Sequence, residues 1–269
     1  MLFSLPIIAS ILAATAHGCT DPDLHPRADG VAEWGYGPEN GPLLWYAMDR
    51  VANRACGQGK NQTPIDITGN STRTQSSSDY VLKYSKIIKN VPYLNTHHTA
   101  QVQVDGVTDS TNTLTFASKT YKLLQFHFHV PSEHRINGEY FPMEVHFVHR
   151  SADGALAVVG YAIQVGRMNH PLLGAVLGKI KQVAETDAKS TLALLDLSTI
   201  TTNFAKNNVF RYSGSLTTPP CTEGIEWIVS TEAITIDVAT FNEVKKVLQF
   251  NARNTQSDPG RDNVIGLVQ

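Results

Sequence analysis

Apolar and polar side chains alternate in short runs through the middle of the chain, between about residues 80 and 165. Glycine, asparagine and aspartate separate the runs, a combination typical of β-strands joined by turns. The last run is almost continuously apolar, as in a strand covered on both faces. The predicted strands are Val102–Val104, Leu114–Phe116, Tyr121–Val130, Phe141–His149 and Leu156–Val165.

A helical period appears only later in the chain. Apolar residues recur three and four positions apart over 171–185, which predicts a helix, and Val238–Leu248 predicts a second one. Ile225–Val229 reads as a further strand between them. Strands outnumber helices and do not alternate with them regularly. We therefore expect an α+β, β-dominated fold, with a single domain around a large, mainly antiparallel twisted sheet and short surface helices.

The first eighteen residues, MLFSLPIIASILAATAHG, are apolar and carry no charged side chain. They are short for a membrane span, which needs about 20 residues, and Ala14-Thr15-Ala16 fits the small-x-small rule for signal cleavage. We expect residues 1–18 to be a secretory signal peptide cleaved near 16–18, followed by one domain over 19–269. The alternative is a buried N-terminal helix.

Charge and composition narrow the choice of partners. The 269 residues include 17% charged side chains with a formal net charge of −2, and no basic run is present. We therefore expect neither nucleic acid nor a membrane surface as a partner.

If the protein is exported, its cysteines can form disulfides and its sequons can be glycosylated. In an oxidising compartment two of Cys19, Cys56 and Cys221 would normally pair and leave one over. The sequons at Asn61 and Asn70 are candidate glycosylation sites, of which the first, followed by proline, is the poorer acceptor.

Candidate chemistry lies in residues 125–134, QFHFHVPSEH. Gln125, His127 and His129 occupy one face of the predicted strand, because successive side chains point to opposite faces. In the next strand, FPMEVHFVH, His146 lies on one face with Glu144. A hairpin over 131–140 would bring the three histidines together, and three imidazoles leave a tetrahedral metal one position for water.

Gln125 and Glu144 each precede a candidate ligand by two positions on the same face. Such side chains can accept the second N–H of a metal-bound imidazole and so orient its ring. The plainer interpretation is a sheet with structural histidines and a surface glutamate. The complete pattern favours metal binding.

These stretches, together with several others, resemble the α-class carbonic anhydrases, from about Glu33 to the end of the chain. The other matching stretches are Trp34-Gly35-Tyr36-Gly37, Asn40-Gly41-Pro42, Gln62–Ile67 (QTPIDI), Ser215–Pro220 (SLTTPP) and Trp227-Ile228-Val229. The resemblance implies a secreted enzyme that interconverts carbon dioxide and bicarbonate by attack of zinc hydroxide.

The resemblance also implies residue roles at the centre. One zinc ion would be bound by His127, His129 and His146, which are supported in turn by Gln125, the main chain of Asn251 and Glu144. Thr217 would accept the proton of the hydroxide and donate its own to Glu133, while Thr218 would lie beside bicarbonate. The apolar pocket for carbon dioxide would comprise Val148, Val158, Leu216 and Trp227.

Away from the centre, the resemblance implies a proton path and a disulfide. His98 falls at the proton-shuttle position, although the adjacent His97 leaves that assignment open by one residue. The water network along the path would involve Tyr36, Thr96 and Gln101. Cys56 would pair with Cys221. Cys19 is then left over, and an intermolecular disulfide would make a homodimer.

Two rival functions remain to be tested. The spacing of His127, His129 and Glu133 is also that of the first motif of cupin-type metal oxygenases, in which the glutamate is itself a ligand. That family's later glycine- and proline-containing motif is absent from this sequence. The other rival is a secreted binding module on the same fold that no longer catalyses a reaction.

Overall fold

The computed structural model describes residues 33–69, 73–107 and 111–267. The predicted signal peptide, Cys19 and the sequon asparagine Asn70 lie outside these described residues.

The described residues contain fifteen strands. In chain order they are β1 (Asp66–Ile67), β2 (Arg73–Ser76), β3 (Val81–Lys83), β4 (Ile88–Asn95), β5 (Ala100–Gln103), β6 (Thr113–Phe116), β7 (Lys119–His129), β8 (Arg135–Ile136), β9 (Glu139–Tyr140), β10 (Met143–Ser151), β11 (Leu156–Gly166), β12 (Lys189–Leu195), β13 (Asn208–Ser215), β14 (Glu223–Ser230) and β15 (Ile234–Asp237).

The described helices are few and short. They are α1 (Trp45–Met48), α2 (Arg54–Gln58), α3 (Pro171–Leu177), α4 (Ser198–Phe204) and α5 (Val238–Leu248), with 3-10 turns at Ser77–Asp79 and Ile180–Val183. None of the described helices is long and apolar enough to cross a membrane.

Twelve of the described strands make one large sheet, whose main path runs β12-β4-β5-β7-β10-β11-β14-β13-β2. Most neighbouring strands are antiparallel, but β11 pairs in parallel with both β14 and β15. The β-dominated, single-domain fold predicted from the sequence is confirmed, with the addition that the sheet is mixed around β11. A separate small sheet has the order β1-β8-β9.

The alternation in β7 divides its side chains between two environments. Phe126 and Phe128 are fully buried and belong to the larger core cluster, where Phe126 packs on Phe147 of β10 at 5.1 Å between ring centroids. Burying a side chain of this size stabilises a fold by about 1.5–3 kcal/mol. The histidines of the same strand therefore face the other side of the sheet.

The helix predicted over 171–185 is divided in the structure. Helix α3 ends at Leu177, and the 3-10 turn follows after Gly178, which is a poor helix residue. A Cβ at Gly178 would lie only 2.5 Å from the carbonyl oxygen of Gly174. The apolar period continues through the break, since Ile180 and Val183 are buried like the apolar residues of α3.

Candidate metal centre

The two histidine-bearing strands are direct neighbours. In the antiparallel register of β7 and β10, His127 lies opposite His146, and His129 lies opposite Glu144. The strands are joined through β8 and β9, which occupy the segment where a hairpin was predicted. The adjacency predicted from the sequence is therefore present.

One nitrogen from each of His127, His129 and His146 lies within 4.8 Å of the other two. The inward nitrogens, Nε2 of His127, Nε2 of His129 and Nδ1 of His146, are buried and have no hydrogen-bond partner among the described residues. Buried polar atoms in native proteins are nearly always partnered. Three such atoms converging on one point indicate a site for a ligand that accepts nitrogen lone pairs.

The outward nitrogens of the same rings are all partnered. Nδ1 of His127 is 2.8 Å from Gln125 Oε1, and Nδ1 of His129 is 2.7 Å from the main-chain oxygen of Asn251. Nε2 of His146 is 2.8 Å from Glu144 Oε1. Each acceptor requires the proton on the outward nitrogen, which leaves the inward nitrogen as a lone-pair donor.

Burial keeps the three rings neutral. It lowers the pKa of His127 well below the usual value, with further lowering from the two other rings. Burial also lowers the pKa of His129 to about 4, against an opposing contribution from the Asn251 carbonyl, and it lowers the pKa of His146. Three neutral imidazoles are a donor set that fits a zinc ion, whose fourth ligand in catalytic sites is water.

Glu144 is more than a support for one histidine. Its Oε2 accepts the main-chain N–H groups of Glu133 at 2.9 Å and His134 at 2.8 Å, and its Oε1 lies 2.6 Å from His134 Nδ1. Burial raises the pKa of this carboxyl, but His134 and His146 more than offset that and hold it well below the usual range. Glu144 is therefore an anion at neutral pH.

A chain of buried hydrogen bonds continues from Glu144 and was not predicted from the sequence. His134 Nε2 lies 2.7 Å from the Tyr212 hydroxyl, which donates to Thr63 Oγ1 at 3.1 Å. The main-chain N–H of Ser215 donates to the same Thr63 oxygen at 2.9 Å. These hydrogen bonds therefore connect Glu144, the partner of His146, to Ser215, which lies two positions before Thr217. The feature of the sequence that could have indicated this chain of hydrogen bonds is His134, which directly follows Glu133 and lies outside the alternating run.

Glu133 lies at the edge of the histidine group. Its Oε1 accepts the main-chain N–H of Arg253 at 2.9 Å, and its Oε2 is 3.5 Å from His129 Nε2. Burial raises the pKa of this carboxyl to about 7, against opposing contributions from His146, the Arg253 N–H and the Thr217 hydroxyl.

Thr217 is placed beside this carboxyl. Its Oγ1 and Glu133 Oε2 are both buried without a hydrogen-bond partner among the described residues. The hydroxyl is near enough to lower the pKa of the carboxyl, but the two groups do not form a hydrogen bond in this structure.

The residues predicted to form an apolar pocket lie together. They share one buried cluster on the histidine side of the sheet, comprising Val148, Val158, Leu216 and Trp227 with six other apolar residues. The indole N–H of Trp227 donates to the main-chain oxygen of Ser215 at 2.9 Å, so the ring and the strand that precedes Thr217 are held to each other. Thr218 is also buried.

Two neighbouring histidines occupy different surroundings. The ring of His98 stacks on Trp34 at 3.6 Å between centroids and lies 6.4 Å from the ring of Tyr36. Nε2 of His97 instead lies 2.7 Å from Asp187 Oδ1.

The remaining polar residues predicted for the proton path follow in the same part of the chain. Thr96 Oγ1 donates to the main-chain oxygen of Thr99 at 3.2 Å. Gln101 on β5 lies opposite His127.

The structure contains the disulfide between Cys56 and Cys221, with 5.0 Å between the Cα atoms. Cys221 also donates its main-chain N–H to the carbonyl of Thr218 at 2.8 Å. The bridge therefore ties α2 to the loop that carries Thr217 and Thr218. The sequon residue Asn61 lies near it, with its main-chain N–H bonded to Glu223 at 2.6 Å.

Comparison with known proteins agrees with this geometry. Residues 40–264 match the family model for eukaryotic-type carbonic anhydrase. A carbonic anhydrase of Pectobacterium atrosepticum is 33% identical over 240 residues, which are 88% of this chain and 92% of that protein.

Solved structures extend the agreement to the fold. The fungal α-carbonic anhydrase of Aspergillus oryzae is 38% identical with a TM-score of 0.82, over 88% of this chain and 98% of that one. The α-carbonic anhydrase of Thermovibrio ammonificans, in complex with the inhibitor sulfanilamide, is 34% identical with a TM-score of 0.75, over 87% and 99%. This chain belongs to the α-class, or eukaryotic-type, carbonic anhydrases, a family of enzymes.

Proposed function

We propose that this protein catalyses the reversible hydration of carbon dioxide to bicarbonate and a proton, with one zinc ion held by His127, His129 and His146. The observation that carries the proposal is the convergence of three neutral, buried imidazole nitrogens that have no hydrogen-bond partner among the described residues. Family membership supports the same reaction.

Zinc bound there would supply a Lewis acid that makes its water acidic near neutral pH. Thr217 and Glu133 would then orient the nucleophile. The Glu133 carboxylate can only accept, so a Thr217 hydroxyl that donates to it must present a lone pair on its other side. Thr217 Oγ1 has no hydrogen-bond partner among the described residues that would compete for this role.

Carbon dioxide would be held by the apolar wall of Val148, Val158, Leu216 and Trp227. The substrate is small and nearly apolar, so weak dispersion contacts suit it better than strong polar ones. The side chains of this wall are all almost completely buried. Bicarbonate, which is charged, would leave such a wall readily and lie beside Thr218.

The proton released in the reaction would leave through His98. A histidine suits this role, because an unperturbed imidazole has a pKa near 6.5 and can exchange protons at neutral pH. The stacking of His98 on Trp34 and its proximity to Tyr36 support this residue over His97, whose ring is engaged with Asp187.

The geometry gives no support to either rival function. A cupin-type centre would use Glu133 as a ligand, but the candidate metal group formed by His127, His129 and His146 does not include it. A binding module without catalysis would be expected to lack a metal ligand, whereas all three histidines converge here.

We also propose that the protein is exported and glycosylated, and that Cys19 links two copies. The apolar segment over residues 1–18 and the disulfide Cys56–Cys221 support export. Electrophoresis of the secreted protein with and without reductant tests the link, since a monomer under both conditions would exclude it. Enzymatic removal of N-glycans tests Asn61 and Asn70, because modified protein would gain mobility.

Stopped-flow measurement of carbon dioxide hydration between about pH 5.5 and 9, on protein with measured zinc content, tests the function. We expect one zinc per chain and a rate that rises through an apparent pKa near 7. His127→Ala should lose both zinc and activity, whereas His170→Ala, at the start of α3 and outside the histidine group, should keep both. An uncatalysed trace from fully zinc-loaded protein would favour the binding module, and bound iron or manganese with oxygenase activity would favour the cupin.

A further inference from the structure

One wall of the metal centre is lined by amides on adjacent strands. Strand β5 lies beside β7 in a register that pairs Gln101 with His127 and Gln103 with Gln125. Between the two glutamines, Val102 faces the opposite side and is buried in the larger core cluster. Gln101 and Gln103 therefore share the face that carries the metal-site histidines.

The two glutamines of β5 are joined through their side chains. Gln101 Nε2 donates to Gln103 Oε1 at 3.0 Å. The Gln101 side chain is buried, and its Oε1 has no hydrogen-bond partner among the described residues. A buried amide oxygen is costly without a donor, which in a solvent-filled active site is commonly water.

We propose that Gln103 is a positioning residue for the proton path. By accepting from the Gln101 NH₂ group, it holds that amide with its carbonyl oxygen toward the His127 side of the wall. There the oxygen accepts a hydrogen bond from a water on the route to His98. This inference rests on the proposed function and adds a residue that acts only through Gln101.

The chemistry of residue 103 makes the orientation testable. A carboxylate at this position can only accept, so Gln103→Glu preserves the acceptor for the Gln101 NH₂ group and with it the orientation of the amide. Gln103→Leu removes the acceptor and leaves the Gln101 amide free to rotate. Gln164→Leu on β11, whose side chain is exposed, is the matched control.

The experiment compares kcat with kcat/KM for carbon dioxide hydration by the zinc enzyme at low buffer concentration. Proton export occurs after hydration, so it contributes to kcat and not to kcat/KM. We expect Gln103→Leu to lower kcat about fivefold, the effect of one lost neutral hydrogen bond, with kcat/KM unchanged. Gln103→Glu and Gln164→Leu should retain kcat within about twofold on the same scale.

A double-mutant cycle decides whether Gln103 acts through Gln101. In a Gln101→Ala background, the further change Gln103→Leu should have no additional effect on kcat. Equal losses of kcat in Gln103→Leu and Gln103→Glu, or an unchanged kcat in Gln103→Leu, would overturn the inference. The proposed function would still stand in either case if kcat/KM is unchanged. Absence of catalysis in the unmodified zinc enzyme would instead reject the proposed function.

Discussion

Each ring of the metal centre owes its usable nitrogen to an acceptor on its other side. The three acceptors differ in kind: a side-chain amide for His127, a main-chain carbonyl for His129 and a carboxylate for His146. A carboxylate is the strongest acceptor of the three because its hydrogen bonds are charge-assisted. The arrangement therefore makes His146 the candidate ligand whose basicity depends most on one neighbouring side chain.

Glu144→Gln tests that dependence. The Glu144 carboxylate now accepts hydrogen bonds from four N–H groups. An amide at this position would point its own NH₂ group at one of these donors, so at least one hydrogen bond would be lost. We expect zinc affinity to fall about 10- to 100-fold. Competition with a chelator of known affinity measures the change, with exposed Glu139→Gln as a control. Equal affinity in all three proteins would show that the charge of Glu144 is unimportant for the metal.

Thr217→Val tests the orientation of the nucleophile. Valine keeps the shape of threonine but lacks the hydroxyl, which has no other hydrogen-bond partner among the described residues. We expect kcat/KM to fall about 10²-fold, as when one preorganised hydrogen-bonding group is removed from an active site. Zinc content should not change. Thr235→Val on β15 is the control, and an equal fall there would contradict a specific role for Thr217.

Strand β13 contributes Tyr212 and Ser215 to the buried chain of hydrogen bonds, and Gly214 between them lies close against Thr63. The pairing of β13 with β14 shifts register between Gly214 and Ser215. A Cβ at Gly214 would overlap Thr63 Oγ1 and approach the Tyr212 ring to 2.7 Å. A glycine is therefore required for Thr63, Tyr212 and the loop that follows β13 to come together.

Gly214→Ala should consequently lower the free energy of unfolding by about 1–3 kcal/mol, the usual cost of overpacking. Gly69→Ala is a suitable control, because a Cβ there would meet nothing within 4 Å. Urea unfolding of the three proteins measures both changes. A Gly214→Ala variant as stable as the control would mean that β13 can shift away from Thr63 at little cost.

Local sequence patterns predict the strands and their faces, but not the contacts between distant segments of the chain. Period-two alternation located β7 and β10 and placed His127, His129 and His146 on one face, because side-chain direction in a strand depends only on local geometry. The parallel pairing of β11 with β14 depends on contacts between distant segments and has no local signal. The contact between His134 and Tyr212 was not predicted for the same reason, since 78 positions separate the two residues.

At the scale of the whole molecule, the disulfide closes a separation of 165 residues between α2 and the loop after β13. Replacing both cysteines, with Cys56→Ala and Cys221→Ala, should lower the free energy of unfolding by about 2–5 kcal/mol. A looser loop around Thr217 should also reduce kcat/KM. Thermal unfolding and stopped flow measure the two effects on the unmodified and the variant protein. Unchanged activity in the less stable variant would show that the bridge serves stability alone.

Acid should weaken the whole molecule through a histidine outside the metal centre. His149 is fully buried on β10, beyond the register shift with β7, with its Nε2 2.7 Å from the Tyr84 hydroxyl. Burial lowers its pKa from 6.5 to about 4, against opposing hydrogen bonds to the main chain. The unfolded chain therefore binds a proton at this position below about pH 6.5, whereas the folded chain does so only near pH 4.

The free energy of unfolding should consequently fall as the pH decreases from about 6.5 to 4, by up to about 3 kcal/mol from His149. His149→Gln removes this titration. We expect the variant to be less stable than the unmodified protein at pH 7.5, with the difference narrowing by about 2 kcal/mol at pH 5. Urea unfolding at both pH values measures the two differences, and the metal-centre histidines cancel because both proteins contain them. A difference that is independent of pH would show that His149 is already protonated in the folded protein at pH 5 or that the unfolded chain does not bind the proton.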